Sequence, residues 1–290
     1  MDRRVFGGIT FLRHARNPAL WLSAVLNRFD AHFPESHFTH VSGSYDLQFN
    51  YIPYSKERIK TLLKSDYSNL QMAQFNSRSP ADDAVAYELE IAVRGIELRA
   101  SDFGRLAFNF SQSFYVTYAS QILRFLDDIA VGIGAEGGDL HDSEDSFNQN
   151  QSGPHWFKLI GQPVPRTKLK WDTYFKEEVV DLEQNPCHTH MVGLVDFTTA
   201  WTNYLGPTYL RYLGLTADVV KEAVSDIAYE VVELCDSLVR VTLFEDPFEY
   251  EHPDNVERMW AYRRRLHIDE VAHALLPDSE KPSRFVPLPN

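Results

Sequence analysis

The spacing of apolar residues changes between Val85 and Val131, and this change limits the fold more than any other feature of the chain. Tyr87, Leu89, Ile91 and Val93 recur at every second position, as do Leu106, Phe108 and Phe110. Side chains spaced this way share one face of a strand. From Tyr115 to Val131 the spacing becomes helical, with Ile122, Leu123, Leu126, Ile129 and Ala130 forming one stripe. Strands with one apolar face, followed directly by a helix with one apolar stripe, bury that surface when the helix lies on the sheet.

The same reading extends along the chain. Val5–Leu12 reads as a strand, and Pro18 opens a helix with Leu20, Trp21, Ala24, Val25 and Phe29 on one side. Phe38–Ser42 and Leu47–Tyr51 read as two strands around Gly43-Ser44-Tyr45-Asp46, and Ser55 caps a short helix through Leu63. Trp156–Ile160 resumes order after a loop, Met191–Thr198 reads as a strand, and Ala200–Leu213 as two short helical pieces with Pro207 opening the second. Thr216 caps a helix through Val224, and Tyr229–Leu234 with Leu238–Phe244 form a hairpin across Cys235-Asp236-Ser237. Asn255 caps a closing helix that carries Val256, Met259, Trp260, Arg263 and Leu266. After Leu276, four prolines predict an extended tail. The strands come in antiparallel-type pairs, without the regular strand–helix alternation of a parallel sheet. The prediction is an α+β fold, with mainly antiparallel sheets covered by helices.

The stretch from Gly132 to Pro154 is rich in Gly, Ser, Asp and Asn. It holds Glu136, Asp139, Asp142, Glu144 and Asp145 without one Lys or Arg. This predicts a long acidic loop, and loops of that length tend to be functional. It divides the chain into an N-terminal half (1–135), the loop (136–155) and a C-terminal half (156–290), the alternative being one continuous domain.

Charge restricts the partners. The chain carries 41 acidic and 28 basic residues, a formal net charge of -13. That field repels phosphate backbones and anionic membranes, and attracts basic proteins. No nucleic-acid or membrane partner is expected. Two cysteines, Cys187 and Cys235, cannot form a disulfide framework. Arg13, His14 and Arg16 interrupt any apolar signal core near the N-terminus, and no apolar run approaches the roughly 20 residues that span a bilayer. The expected location is the cytoplasm.

The patterns that carry chemistry are incomplete. Gly132-Ile133-Gly134-Ala135-Glu136-Gly137-Gly138 follows a helix and runs into acids, whereas a phosphate-cradling loop joins a strand to a helix. Cys187-His188-Thr189-His190 is the densest set of soft ligands. On a strand it would turn the two histidines to one face and the cysteine to the other, with no second cluster in sequence to complete a zinc site. His267 and His273 lie six apart, on opposite sides of a helix, where a metalloprotease needs four. The adjacent pairs Asp82-Asp83 and Asp127-Asp128 point apart. No Gly-x-Ser-x-Gly elbow is present. The expectation is a protein that is not an enzyme and holds no cofactor and no metal. The alternative is a hydrolase-like enzyme with dispersed residues, for which His155, His188, His190 and Asp196 are the first candidates. A structural or scaffold subunit is the third reading.

What remains is surface character. Glu245, Asp246, Phe248, Glu249, Tyr250 and Glu251 put carboxylates beside aromatics, a combination that pairs with Lys and Arg while supplying contact area. These residues and the acids of the 136–145 stretch are the candidate partner-binding residues.

Two stretches carry a family likeness. One is Trp201-Thr202-Asn203-Tyr204-Leu205-Gly206-Pro207-Thr208-Tyr209-Leu210, leading to Leu213-Gly214. The other is Val239-Arg240-Val241-Thr242-Leu243-Phe244, running into Glu245-Asp246-Pro247-Phe248 and followed by Asn255, Val256 and the arginines 263–265. Over residues 190–266 the chain resembles the immunity protein 52 family of bacterial polymorphic-toxin and type VI secretion systems. The resemblance implies a cytoplasmic α+β protein that neutralises a cognate toxin, a restriction-endonuclease-like nuclease. It implies no catalytic residues and transfers no binding residue. A homodimer through an edge strand is compatible with it.

Overall fold

In the computed structural model, described for residues 3–12, 18–45, 48–55, 57, 70–78, 85–92, 103–173, 176–192 and 195–276, one strand anchors the architecture. β1 (Arg4–Leu12) pairs on one side with β6 (Phe103–Ser111) and on the other with β7 (Ala135–Asp142), antiparallel to both. Beyond β6 come β5 (Val85–Ala92), β4 (Leu70–Arg78), β2 (His40–Tyr45) and β3 (Gln48–Pro53). Beyond β7 come β12 (Thr202–Leu205), β14 (Leu238–Thr242) and β13 (Glu230–Cys235). The result is a ten-stranded sheet in the order β13-β14-β12-β7-β1-β6-β5-β4-β2-β3. The α+β class with a mainly antiparallel sheet is as the sequence predicts.

Residues opposite one another across a ladder share a face. Val5, Ile9, Leu106, Phe108 and Phe110 form one such face, and all are buried. Two helices cover it, α1 (Pro18–His32) and α2 (Gln112–Ile133). Ile122, Leu126, Ile129 and Ala130 are buried as their stripe requires. Phe29 sits among Phe33, Phe38, Tyr87 and Phe125, with ring centroids 4.4–5.7 Å apart. This aromatic packing accounts for part of the high aromatic content. On the same face Tyr204 and Arg240 reach Asp127 of α2, with Arg240 Nε 2.9 Å from the carboxylate.

The opposite face presents Phe6, Asp139 and His141. It is overlaid by the C-terminal elements: the hairpin β10 (His190–Val192) and β11 (Val195–Phe197), α5 (Pro207–Leu213), and α8 (Ile268–Leu275), which packs on that hairpin. Between them run α3 (Ser143–Asn150), α4 (Pro154–Leu159), the pair β8 (Leu169–Asp172) and β9 (Glu177–Val180), α6 (Ala217–Val224) and α7 (Pro253–Arg265). No helix among the described residues is long and apolar enough to cross a membrane.

Four sequence expectations are corrected. The 136–155 acidic loop is β7 followed by α3 and the start of α4. Its acids are consumed internally. Glu136 accepts the backbone N–H of Thr208 at 2.9 Å, Asp139 lies 3.0 Å from His141, and Asp142 caps α3 by accepting from Glu144 and Asp145 N–H. Within this stretch β7 pairs with both β1 and β12. Met191–Thr198 is the β10–β11 hairpin. The first part of Ala200–Leu213 is strand β12, not helix. All four of its residues are buried, so it shows no alternation to read. The α7 cap is His252, while Asn255 is buried inside the first turn and donates to Glu249 O at 2.8 Å. The Ser55–Leu63 helix, apart from Ser55 and Glu57, and the proline-rich tail lie outside the described residues.

Candidate functional site

The surface that the sequence singled out begins where β14 ends. Leu243 still donates to Trp201 O at 2.9 Å, and Trp201 Nε1 donates to Phe244 O at 2.7 Å, so the chain is held down until Glu245. Glu245 and Asp246 then emerge into solvent. The Asp246 carboxylate accepts the Phe248 N–H at 2.9 Å, which folds Pro247–Glu249 into a 3-10 turn. The Phe248 ring meets Tyr115 edge-on at 5.6 Å, and the Tyr250 ring is buried with its hydroxyl accepting from Asn148 at 3.2 Å.

Arg3 ties this turn to the first acidic stretch. Its guanidinium lies 5.0 Å from the Phe248 ring centroid and 5.5 Å from that of Tyr250, and donates to Phe248 O at 2.8 Å. It also sits 3.2 Å from Asp142 and 3.6 Å from Glu144. The two candidate stretches therefore adjoin, but in unequal roles. Glu245, Asp246, Glu249 and Glu251 are exposed, and Glu144 and Phe248 are half-buried. Tyr250, Glu136, Asp139, Asp142 and Asp145 are buried supports. Exposed Tyr229 and the charges of Asp246 and Glu245 act on Tyr115, whose phenol is raised well above its ordinary value by burial first and by those neighbours second. Beside Tyr250 and Glu251 opens a cleft of about 550 Å³, lined also by Asn148, Gln162, Lys168 and Asn185.

A second constellation is buried under α7 and α8. His188 and His190 present their Nε2 atoms to one another at 3.0 Å, and both lie 3.2 Å from Asp269 Oδ1. Glu183 approaches His188 at 3.4 Å from the more open side, with His273 3.8 Å from the same carboxylate. Arg263 enters this set from α7, fully buried. It donates to both Asp269 oxygens, to the carbonyls of Pro186 and His188 at 3.0 and 2.9 Å, and lies 2.9 Å from His188 Nε2. Burial would raise the Asp269 carboxyl, but hydrogen bonds from His188, His190 and Arg263 and the guanidinium charge outweigh it and hold the group far below its ordinary value. The set has the ligand types of a metal centre, with ligand atoms of Glu183, His188, His190 and Asp269 within 4.8 Å of one another, and the Arg263 guanidinium stands against two of them, His188 and Asp269. Arg263 already pairs with the Asp269 carboxylate, so a cation added there would compete with the guanidinium for that charge. The set works as a clamp joining the 183–190 segment to α7 and α8.

Sequence reasoning placed His188 and His190 on one side and Cys187 on the other, as found. It did not find their partners. The signal was present: Asp269 and His273 are four apart on α8 and so share a face, although His267 and His273 do not. The other hydrolase candidates do not join the clamp. His155 is exposed beside Trp156, and Asp196 bonds Arg105 at 3.2 Å. A separate group, His141, Asp145 and Cys187, packs against the far side of Cys187, with ligand atoms within 4.8 Å of one another.

No protein-family model matches the chain, and no curated protein matches its sequence. Among solved structures, the chain is similar to the T6SS (type VI secretion system) protein PA0821 of Pseudomonas aeruginosa. The TM-score is 0.58 at 13% identity, over 96% of this chain and 83% of that one. At that identity the likeness shows a shared fold. A slighter likeness, with a TM-score of 0.27 at 12% identity over 49% of this chain and 88% of the other, is to the toxic C-terminal tip of CdiA from Pseudomonas aeruginosa in complex with immune protein. It is too small to carry an argument.

Proposed function

We propose that this chain is an immunity protein that binds a basic nuclease toxin in the cytoplasm, holds it inactive and makes or breaks no bond itself. The observation that carries the reading is the ridge of Glu245, Asp246, Glu249 and Glu251. These four exposed carboxylates stand on a turn braced by Arg3, Phe248 and Tyr250. Charges on a rigid support steer a cationic protein and lose little side-chain freedom when it docks. The fold shared with a type VI secretion protein supports the setting. The Arg263 guanidinium bonded to Asp269 and His188 supports a structural role for the histidine cluster.

The direct test is genetic and biochemical. The toxin-like product encoded beside this gene is expressed in cells with and without the chain. Growth rescued by the chain, together with co-purification of the two as a complex, is the expected result. Equal killing in both strains would overturn the proposal.

A further inference from the structure

The group on the far side of Cys187 is built differently from the arginine-filled clamp. His141 lies on β7, Asp145 in the first turn of α3, and Cys187 in the segment before β10, and none is more than slightly accessible. The His141 Nε2 lies 3.0 Å from Asp139 Oδ2, so that nitrogen carries the proton and donates it. Its Nδ1 is buried without a hydrogen-bond partner, and in the neutral ring this is the nitrogen that offers a lone pair. Asp145 Oδ1 is likewise buried without a partner, and its Oδ2 is 3.5 Å from Cys187 Sγ. Met259 Sδ, on α7, lies 3.1 Å from the same sulfur.

Buried polar atoms are nearly always satisfied, so two unpartnered atoms on residues whose ligand atoms lie within 4.8 Å of one another call for a cation or a donor between them. The donor set of imidazole nitrogen, carboxylate and thiol, with a thioether beside it, is borderline-soft and suits zinc. The arrangement around His141 fits as well: a metal-ligating histidine ordinarily gives its other N–H to a carboxylate, the place Asp139 takes here. We propose that His141 Nδ1, Asp145 Oδ1 and Cys187 Sγ bind a single zinc ion that ties β7 and α3 to the segment before β10. Binding removes the thiol proton to solvent, and a thiolate and a carboxylate together neutralise the ion.

Cys235 supplies an internal control, since it is the other cysteine and is exposed. Full-length wild type, Cys187→Ser, His141→Gln and Cys235→Ser, made without a metal-affinity tag in zinc-supplemented cells, are assayed for metal by mass spectrometry. The chelator-treated chains are then titrated with Co²⁺. The expected result is about one zinc per chain in wild type and Cys235→Ser, and loss of that zinc in Cys187→Ser and His141→Gln. A thiolate-to-cobalt charge-transfer band should appear in wild type and Cys235→Ser alone. If a site variant fails to fold, the metal content and cobalt band of wild type and Cys235→Ser still decide. Wild type with neither zinc nor the cobalt band would mean that a water satisfies the two acceptors, and would overturn the proposal. So would zinc retained by folded Cys187→Ser, which would place the ion elsewhere. None of these outcomes depends on toxin binding.

Discussion

Replacing Asp269 by Asn tests the clamp under α7 and α8. The wild-type carboxylate is 5% exposed and is the sole negative group bonded to Arg263 among the described residues. The amide keeps the shape and removes the charge, leaving a fully buried guanidinium with no carboxylate among its acceptors at Pro186, His188 and Thr199. Breaking a buried pair from one side costs about 3–5 kcal/mol. For a domain of this size class that lowers Tm by roughly 6–20 °C. Replacing both partners with apolar residues, Arg263→Met with Asp269→Leu, should cost far less than the sum of the two single changes, because no charge is left stranded. Urea and thermal unfolding of the four proteins give the cycle. The pH dependence adds a signature. The Asp269 pKa is depressed in the folded state below its ordinary 3.8. Its contribution is therefore complete above about pH 4 and is lost as the solution is acidified below that value. Asp269→Asn should lack this part of the acid slope. A loss under about 1 kcal/mol for Asp269→Asn, or strict additivity in the cycle, would refute the clamp.

Two smaller tests address the frame. Thr216→Ala removes the hydroxyl that accepts from Val219 N–H at 3.4 Å and should cost about 0.5–1 kcal/mol by urea unfolding, with the fold unchanged. At Gly206 an added Cβ would lie 2.1 Å from the carbonyl oxygen of Ala135, where β12 leaves β7. Gly206→Ala should cost about 1–3 kcal/mol or more by the same measurement, since two backbones must separate, and a neutral result would contradict the close approach of those strands.

Much of the fold was legible because period and punctuation agree with it. The switch from Tyr87, Leu89 and Phe108 to the Ile122–Ala130 stripe located a sheet face and its covering helix. Pro18, Pro207 and Thr216 opened helices where their backbone preferences place them. The errors share a physical cause. β7 and β12 are interior strands covered on both faces, so neither shows a polar side to alternate with an apolar one. In β7 the acids that suggested solvent are each answered by another side chain or backbone group: Glu136 by Thr208, Asp139 by its strand neighbour His141 and by Arg105, and Asp142 by Arg3. Sequence composition reports a charge but not its partner. For the same reason the exposure of Glu245, Asp246, Glu249 and Glu251 was readable, while the meeting of Glu183, Arg263 and Asp269, brought about by tertiary packing, was not.

The central claim is that the Glu245–Glu251 ridge receives a cationic protein. Its most direct measurement is the association rate of the purified chain with the adjacent toxin, made catalytically inactive, across a range of ionic strength. Reversing Glu245, Glu249 and Glu251 to Lys should slow association at low salt by about tenfold to a hundredfold and flatten the salt dependence. Reversal of exposed Glu177 and Glu178 on β9 should leave the rate close to that of wild type. Unchanged association after the triple reversal, in a complex that still forms, would contradict the claim.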